Sequence, residues 1–275
     1  MNILVAAAII AGSVVVACGL MFAIHRLGTK DVFLADTTRG AGVYSVAGVG
    51  FAVLLAFVVL IAYQTYNDAK AGSQAEADAV VELFRSAEFF PPQQRRQMQG
   101  DLACYARAVV ELEWPAMGGG RERPQPVVEH WSLEQQNDNE RLRVRTPREQ
   151  AAFANILDLR DKRIDARRQR LAEASPTVTA PVWFILLLGA AVNIAFVLVF
   201  IDRRGEAFAA QASLMATITS LVVAGLLLVW FLDHPYENES GSIQPDEMQG
   251  VLAIMRDEEP NLPVPCTPAG EPRPA

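Results

Sequence analysis

"VYSVAGVGFAVLLAFVVLIAY" runs from Val43 to Tyr63 without an Asp, Glu, Lys or Arg. A helix rises about 1.5 Å per residue, so roughly 20 such residues cross a hydrocarbon core of about 30 Å. Three more runs pass the same test: Ile3–Ile24, Val182–Ile201 and Leu214–Leu232. Backbone in lipid must satisfy its own hydrogen bonds, and these runs are therefore read as helices. The whole chain, at 51% hydrophobic and 20% charged, has nearly the averages of a soluble protein. The bunching of its apolar residues decides the class, which is integral membrane protein.

The spans fall into two pairs, each closed by a short connection, "HRLGTKDVFLADTTRGAG" (His25–Gly42) and "DRRGEAF" (Asp202–Phe208). Short connections make antiparallel hairpins. The expected organisation is a first transmembrane hairpin at 1–63, an extramembrane helical domain at 64–181, a second hairpin at 182–232 and a polar, Pro-rich tail at 233–275. The first span is read as a plain membrane helix rather than a signal peptide. It lacks a basic leader, and Gly19–Ile24 carry the apolar run past the lipoprotein-like Val16-Ala17-Cys18. Cys18, Cys104 and Cys266 have no metal-ligand spacing and read as unpaired thiols.

The middle region carries helical patterns. After Ser73, Val80, Phe84 and Ala87 share one face, ahead of Pro91-Pro92. Met98, Leu102, Tyr105, Val109 and Leu112 form a heptad stripe that stops at Trp114-Pro115. Gly118–Pro126 reads as a loop. Thr146-Pro147 opens another helix, with Leu157, Ile164 and Leu171 seven apart. These stripes imply helix–helix packing, and the spans next to them are expected to continue out of the bilayer. No strand-like alternation occurs, and the fold class is all-α: four transmembrane helices in two hairpins with an intervening extramembrane helical domain.

Little in the chain points to an enzyme. His25, His130 and His234 sit in no metal or triad motif, and no phosphate-binding glycine loop is present. The polar residues of the last two spans are Asn193, Thr217, Thr219 and Ser220, of a kind that bonds back to its own helix or joins neighbours. No metal site or cofactor is implied. A net charge of −7 argues against nucleic acid, leaving the lipid bilayer as the evident partner. The basic run "RDKRIDARRQR" (Arg160–Arg170) reads as a solvated face open to anionic lipid.

Two stretches carry more. The second span opens with small residues, Ser45, Ala47, Gly48, Gly50 and Ala52, which permit close helix approach or a narrow apolar constriction around a shared axis. After the fourth span, Asp233-His234-Pro235-Tyr236 ends a greasy helix abruptly, because Pro235 cannot continue it. We read that tetrad as a structural corner rather than a catalytic Asp-His pair.

The pattern resembles the bestrophin superfamily, in particular its bacterial and plant bestrophin-like branch. The resemblance rests on Glu76-Ala77, Tyr105, Val109-Val110, Glu113-Trp114-Pro115, Arg170-Leu171, Trp183 and Asp233-His234-Pro235-Tyr236. It implies a homo-oligomer, a pentamer by analogy, conducting anions such as chloride through a hydrophobic neck on the second helix. Matching Gly50-Phe51-x-Val53 puts Phe51 in that neck, with Ala47 and Val43 on the same face; packing alone equally allows Phe51 to face lipid or the third span. The acidic residues Glu237, Glu239, Asp246 and Glu247 lack the run of aspartates that holds calcium in true bestrophins. The alternative is a non-conducting scaffold or sensor. The resemblance also implies an inner-membrane location with a cytoplasmic helical domain. Arg26, Lys30, Arg39, Arg203 and Arg204 in the short loops pull against that orientation, and Lys70, Arg163, Arg167, Arg168 and Arg170 pull for it.

Overall fold

The computed structural model describes residues 2–27, 37–119, 124–199, 208–237 and 241–273. Lys30, Arg203, Arg204 and Glu239 lie outside them. The described elements are helical: α1 (Ile3–Leu27), α2 (Thr37–Ser86), α3 (Pro92–Ala108), α4 (Trp114–Gly118), α5 (Pro126–Arg141), α6 (Pro147–Ala172), α7 (Ala180–Val199), α8 (Phe208–Asp233) and α9 (Asp246–Glu258). The one β pairing among them is an isolated bridge between Cys266 and Pro272. Four helices, α1, α2, α7 and α8, are long and apolar enough to span a bilayer. The chain divides into a membrane unit, residues 1–65 with 176–233, and a helical unit, residues 66–175 with 234–275.

In the membrane unit, α1 and α7 pack on α8, and α2 packs on α7 and α8. Glycines make the closest approaches. A Cβ on Gly189 of α7 would stand 2.5 Å from the Phe51 ring, and one on Gly225 of α8 would stand 2.7 Å from Leu55. Small residues of this kind let membrane helices close without a hydrophobic driving force. The span polar groups turn inward on their own helices, Asn193 donating to the Gly189 carbonyl and Thr217 to the Ser213 carbonyl, both at 2.8 Å. Cys18 is a free thiol.

The helical unit is built on the expected stripes. α2 is continuous for 50 residues, so the segment after Ser73 is its later part. It buries Val80, Phe84 and Ala77 in one core with Met98, Leu102 and Tyr105 of α3 and Val109 just after it. Thr146 caps α6 with the reciprocal Glu149 contact, which satisfies two orphan N–H groups. Four readings of the sequence change. The chain does not stop at Trp114-Pro115, because a π-helical turn, Val109–Glu113, carries it into α4. Pro115 lacks an N–H and crowds the carbonyl four residues back, a strain that one extra residue in the turn relieves. The buried face of α6 is Ala152, Ile156, Leu159, Arg163, Ala166, Arg167 and Arg170 with Leu171; of the expected stripe Leu171 is buried, while Leu157 is exposed and Ile164 half-buried. Arg160–Arg170 is thus not wholly solvated, since arginines at spacings of four and three turn into the core.

The fourth change concerns the cysteines. Cys104 and Cys266 form a disulfide across 162 residues and are fully buried. Sequence gives no sign of it, because the partner lies in a proline-rich tail that finds α3 only in the folded chain. That tail follows α9, and its Gly270, at φ +83°, sits where a Cβ would meet Ala108 at 2.4–2.8 Å. Trp131 donates its indole N–H to the Gly270 carbonyl at 2.6 Å.

α3 also packs on α5, where Asp101 and Asp138 are both buried. Burial, then the Asp138 carboxylate, pushes the Asp101 carboxyl up to about 8. A folded-state value above the ordinary 3.8 means the contribution is full below about pH 4 and is lost as pH rises through about 8. Unfolding midpoints from pH 4 to 9 should fall across that window in the parent protein, and the slope should flatten in Asp101→Asn. Leu102→Asp places a charge in the apolar stripe and should cost several kcal/mol in chemical denaturation.

Candidate functional site

Residues scattered through the sequence meet in the helical unit around Arg170 of α6, which is fully buried. Its Nε donates to Glu76 of α2 at 2.6 Å and its Nη2 to Glu113 of the π-turn at 2.5 Å. Arg167 adds a second fork to Glu113, with its Nη2 at 2.7 Å, and its Nη1 reaches Glu129 of α5 at 3.0 Å. The Tyr105 hydroxyl donates to Glu76 at 2.6 Å. Arg163 lies over the Tyr105 ring at 4.4 Å, and Arg170 lies 5.2 Å from the Trp114 ring centre. Glu76, Glu113 and Glu129 balance Arg163, Arg167 and Arg170, so the cluster is formally neutral.

A charge taken out of water is tolerated only with a partner and good geometry. Burial alone would raise the Glu113 carboxyl, but Arg170 and Arg167 outweigh it and hold the group below its usual range. Burial likewise opposes the charged form of Arg170, yet Glu76 and Glu113 raise its affinity for the proton. For Tyr105, burial and then Glu76 push the phenol well above its ordinary value. The groups are locked in these charge states, the opposite of what a general acid or base needs. Among the described residues no group of His, Cys, Asp and Glu has the disposition of a metal site.

The corner after α8 divides its labour. Asp233 is buried and accepts the N–H of Thr177 at 2.7 Å and of Val178 at 2.9 Å, tying the end of α8 to the start of α7. His234 is half-buried. Pro235 ends the helix, and its carbonyl accepts the Ile243 N–H at 2.8 Å. Burial pushes the Tyr236 phenol up to about 12. Its ring packs edge-on against Trp114, and its hydroxyl donates to the Ala69 carbonyl at 3.1 Å. The Trp114 indole donates to the Ile243 carbonyl at 3.3 Å. Tyr236 thereby joins the cluster that holds Glu76, Tyr105, Glu113 and Arg170.

On α2 the three residues assigned to a neck separate. Val43 is open, Ala47 is partly covered, and Phe51 is only 9% exposed against Gly189. The open face of that span is Val46, Val49, Val53 and Phe57, the last 61% exposed. Gly50 lies on this face, with nothing within 4 Å of where its Cβ would be.

A family model for the bestrophin-like domain matches residues 11–247. The chain belongs to the bestrophin-like family. Among solved structures, a point variant of the bacterial bestrophin homologue from Klebsiella pneumoniae is 13% identical, with a TM-score of 0.66 over 93% of this chain and 99% of that one. A second point variant of that homologue is 14% identical, with a TM-score of 0.66 over 94% and 98%. A crystal structure titled only as a membrane protein is 14% identical, with a TM-score of 0.67 over 95% and 100%. At such identities the likeness is one of fold. No curated protein matches the chain. The bestrophin-like match spans the whole charge cluster and the corner, and it ends before most of α9 and the disulfide-bound tail.

Sequence reasoning singled out Glu76, Tyr105, Glu113, Trp114, Arg170 and Tyr236 without bringing them together. It missed Arg163 and Arg167, whose signal was their spacing with Arg170 on one helical face. Arg170→Met leaves two buried carboxylates short of a partner and should cost about 3–5 kcal/mol in denaturant unfolding. Arg168→Met, on the exposed side, should stay within about 0.5 kcal/mol.

Proposed function

We propose that the chain is one subunit of a homo-oligomeric anion channel whose conduit is lined by the open face of α2. The observation that carries this reading is the apolar stripe Val46, Val49, Val53 and Phe57, left uncovered by the chain's own helices in a member of the bestrophin-like family. Gly50 on the same face leaves room for a neighbouring subunit to approach. An apolar ring excludes water when narrow, and the positive edge of a phenyl ring suits a weakly hydrated anion. The neck residue in this reading is Phe57 rather than Phe51, with Val43 still on the lining face. Five copies around the axis follow the family analogy, as does an inner-membrane location.

Chloride flux into liposomes loaded with the purified oligomer tests this. Phe57→Ala should raise flux severalfold with little change in thermal stability. Phe51→Ala should instead lower stability by about 3–5 kcal/mol through the cavity left at Gly189. Silence of the verified oligomer in every variant would exclude the channel and leave a non-conducting scaffold.

A further inference from the structure

The C-terminal segment 259–273 lies along α3 in the helical unit. The Pro263 carbonyl comes within 3.0 Å of the Cβ position of Gly100, Cys266 is bonded to Cys104, and Gly270 is set against Ala108. Between this strap, α3 and α9 is a cavity of about 280 Å³. Ligand pockets of roughly 300 Å³ upward take drug-sized molecules, so this one suits something smaller. Leu252, Met255, Leu262 and Val264 give it an apolar wall, and Arg107 and Arg256 supply charge.

Among the described residues the two arginines form no ion pair with a carboxylate. Arg107 reaches only the Thr267 carbonyl at 3.5 Å and the Cys266 sulfur at 4.0 Å, and Arg256 has no hydrogen bond or ion pair among the described residues. Two carboxylates also line the cavity. Glu111 is exposed, and Glu259 is drawn to Arg95 at 3.9 Å. Burial, then Arg256, then Arg273 lower the proton affinity of the Arg107 guanidinium. Arg256 and Arg273 thus repel Arg107, and an anion set between Arg107 and Arg256 would relieve that repulsion.

We propose that this cavity binds a small organic anion, its carboxylate held by Arg107 and Arg256 and its short aliphatic body laid on the Leu252–Val264 wall. Guanidinium forks match carboxylate geometry, and the apolar wall selects against fully hydrated ions. The site shares no residue with the open face of α2 and stands whether or not the protein conducts.

Isothermal titration calorimetry of the full chain in a non-ionic detergent tests it, with hexanoate as the probe. Hexylammonium has the same body with the opposite charge, and inorganic phosphate has charge without the body. Hexanoate should bind saturably at one per chain, hexylammonium should give no heat, and phosphate should bind more weakly than hexanoate. Arg256→Met, at an exposed position and safe for folding, should weaken hexanoate about tenfold or more, and Arg107→Met should do the same. Absence of saturable binding overturns the proposal. So does equal binding of hexylammonium, phosphate binding at least as tightly as hexanoate, or hexanoate affinity unchanged in Arg256→Met.

Discussion

A guanidinium shut off from bulk solvent needs carboxylate partners, and Arg170 finds Glu76 and Glu113. The rest of the helical unit follows from meeting that demand. Glu76 comes from α2, Glu113 from a π-turn and Arg170 from α6, so one ionic node fixes three segments far apart in sequence. Its geometry is exacting because each partner is desolvated, and a misplaced oxygen would leave a charge uncompensated. Tyr105 and Trp114 close the node with a hydroxyl and a ring face, and Tyr236 brings in the chain that follows the last span.

The π-turn becomes intelligible in this light. A regular helix through Pro115 would lose a backbone bond and clash with the preceding turn. The wider turn removes the clash, and Glu113 at its end lies within reach of Arg167 and Arg170. Such turns recur at functional sites because they re-aim a side chain without ending the helix. In the membrane unit the organising constraint is different. There the apolar stretches of the spans hold no Asp, Glu, Lys or Arg, and shape governs the closest approaches: Gly189 receives the Phe51 ring and Gly225 receives Leu55. One face of α2 is consumed by those seats, and the opposite face remains for lipid or a neighbouring subunit.

The four spans were legible because lipid imposes one length and one composition, and nothing else in a chain looks like Leu214–Leu232. The stripe from Met98 to Val109 and the cap at Thr146 were legible too, since periodicity and capping are local signals. What escaped was long-range. Arg163, Arg167 and Arg170 read as solvated because charge on a helix usually is, and only the fold supplies their carboxylates. Cys104 and Cys266 carry no spacing that betrays a pair. The glycine that meets the Phe51 ring lies on another helix, where sequence alone cannot place it. The loop read at Gly118–Pro126 lies partly outside the described residues, and α5, with its weak apolar pattern, was not recognised.

The central claim is that Glu76 and Arg170 act as a coupled buried pair rather than as two independent packing residues. A double-mutant cycle of Glu76→Gln, Arg170→Met and the combination measures this directly, by denaturant unfolding of the purified oligomer. Each single change should be severe and the double variant far less destabilised than their sum, with a coupling of about 1.5–3 kcal/mol. Additive losses within about 0.5 kcal/mol would contradict it.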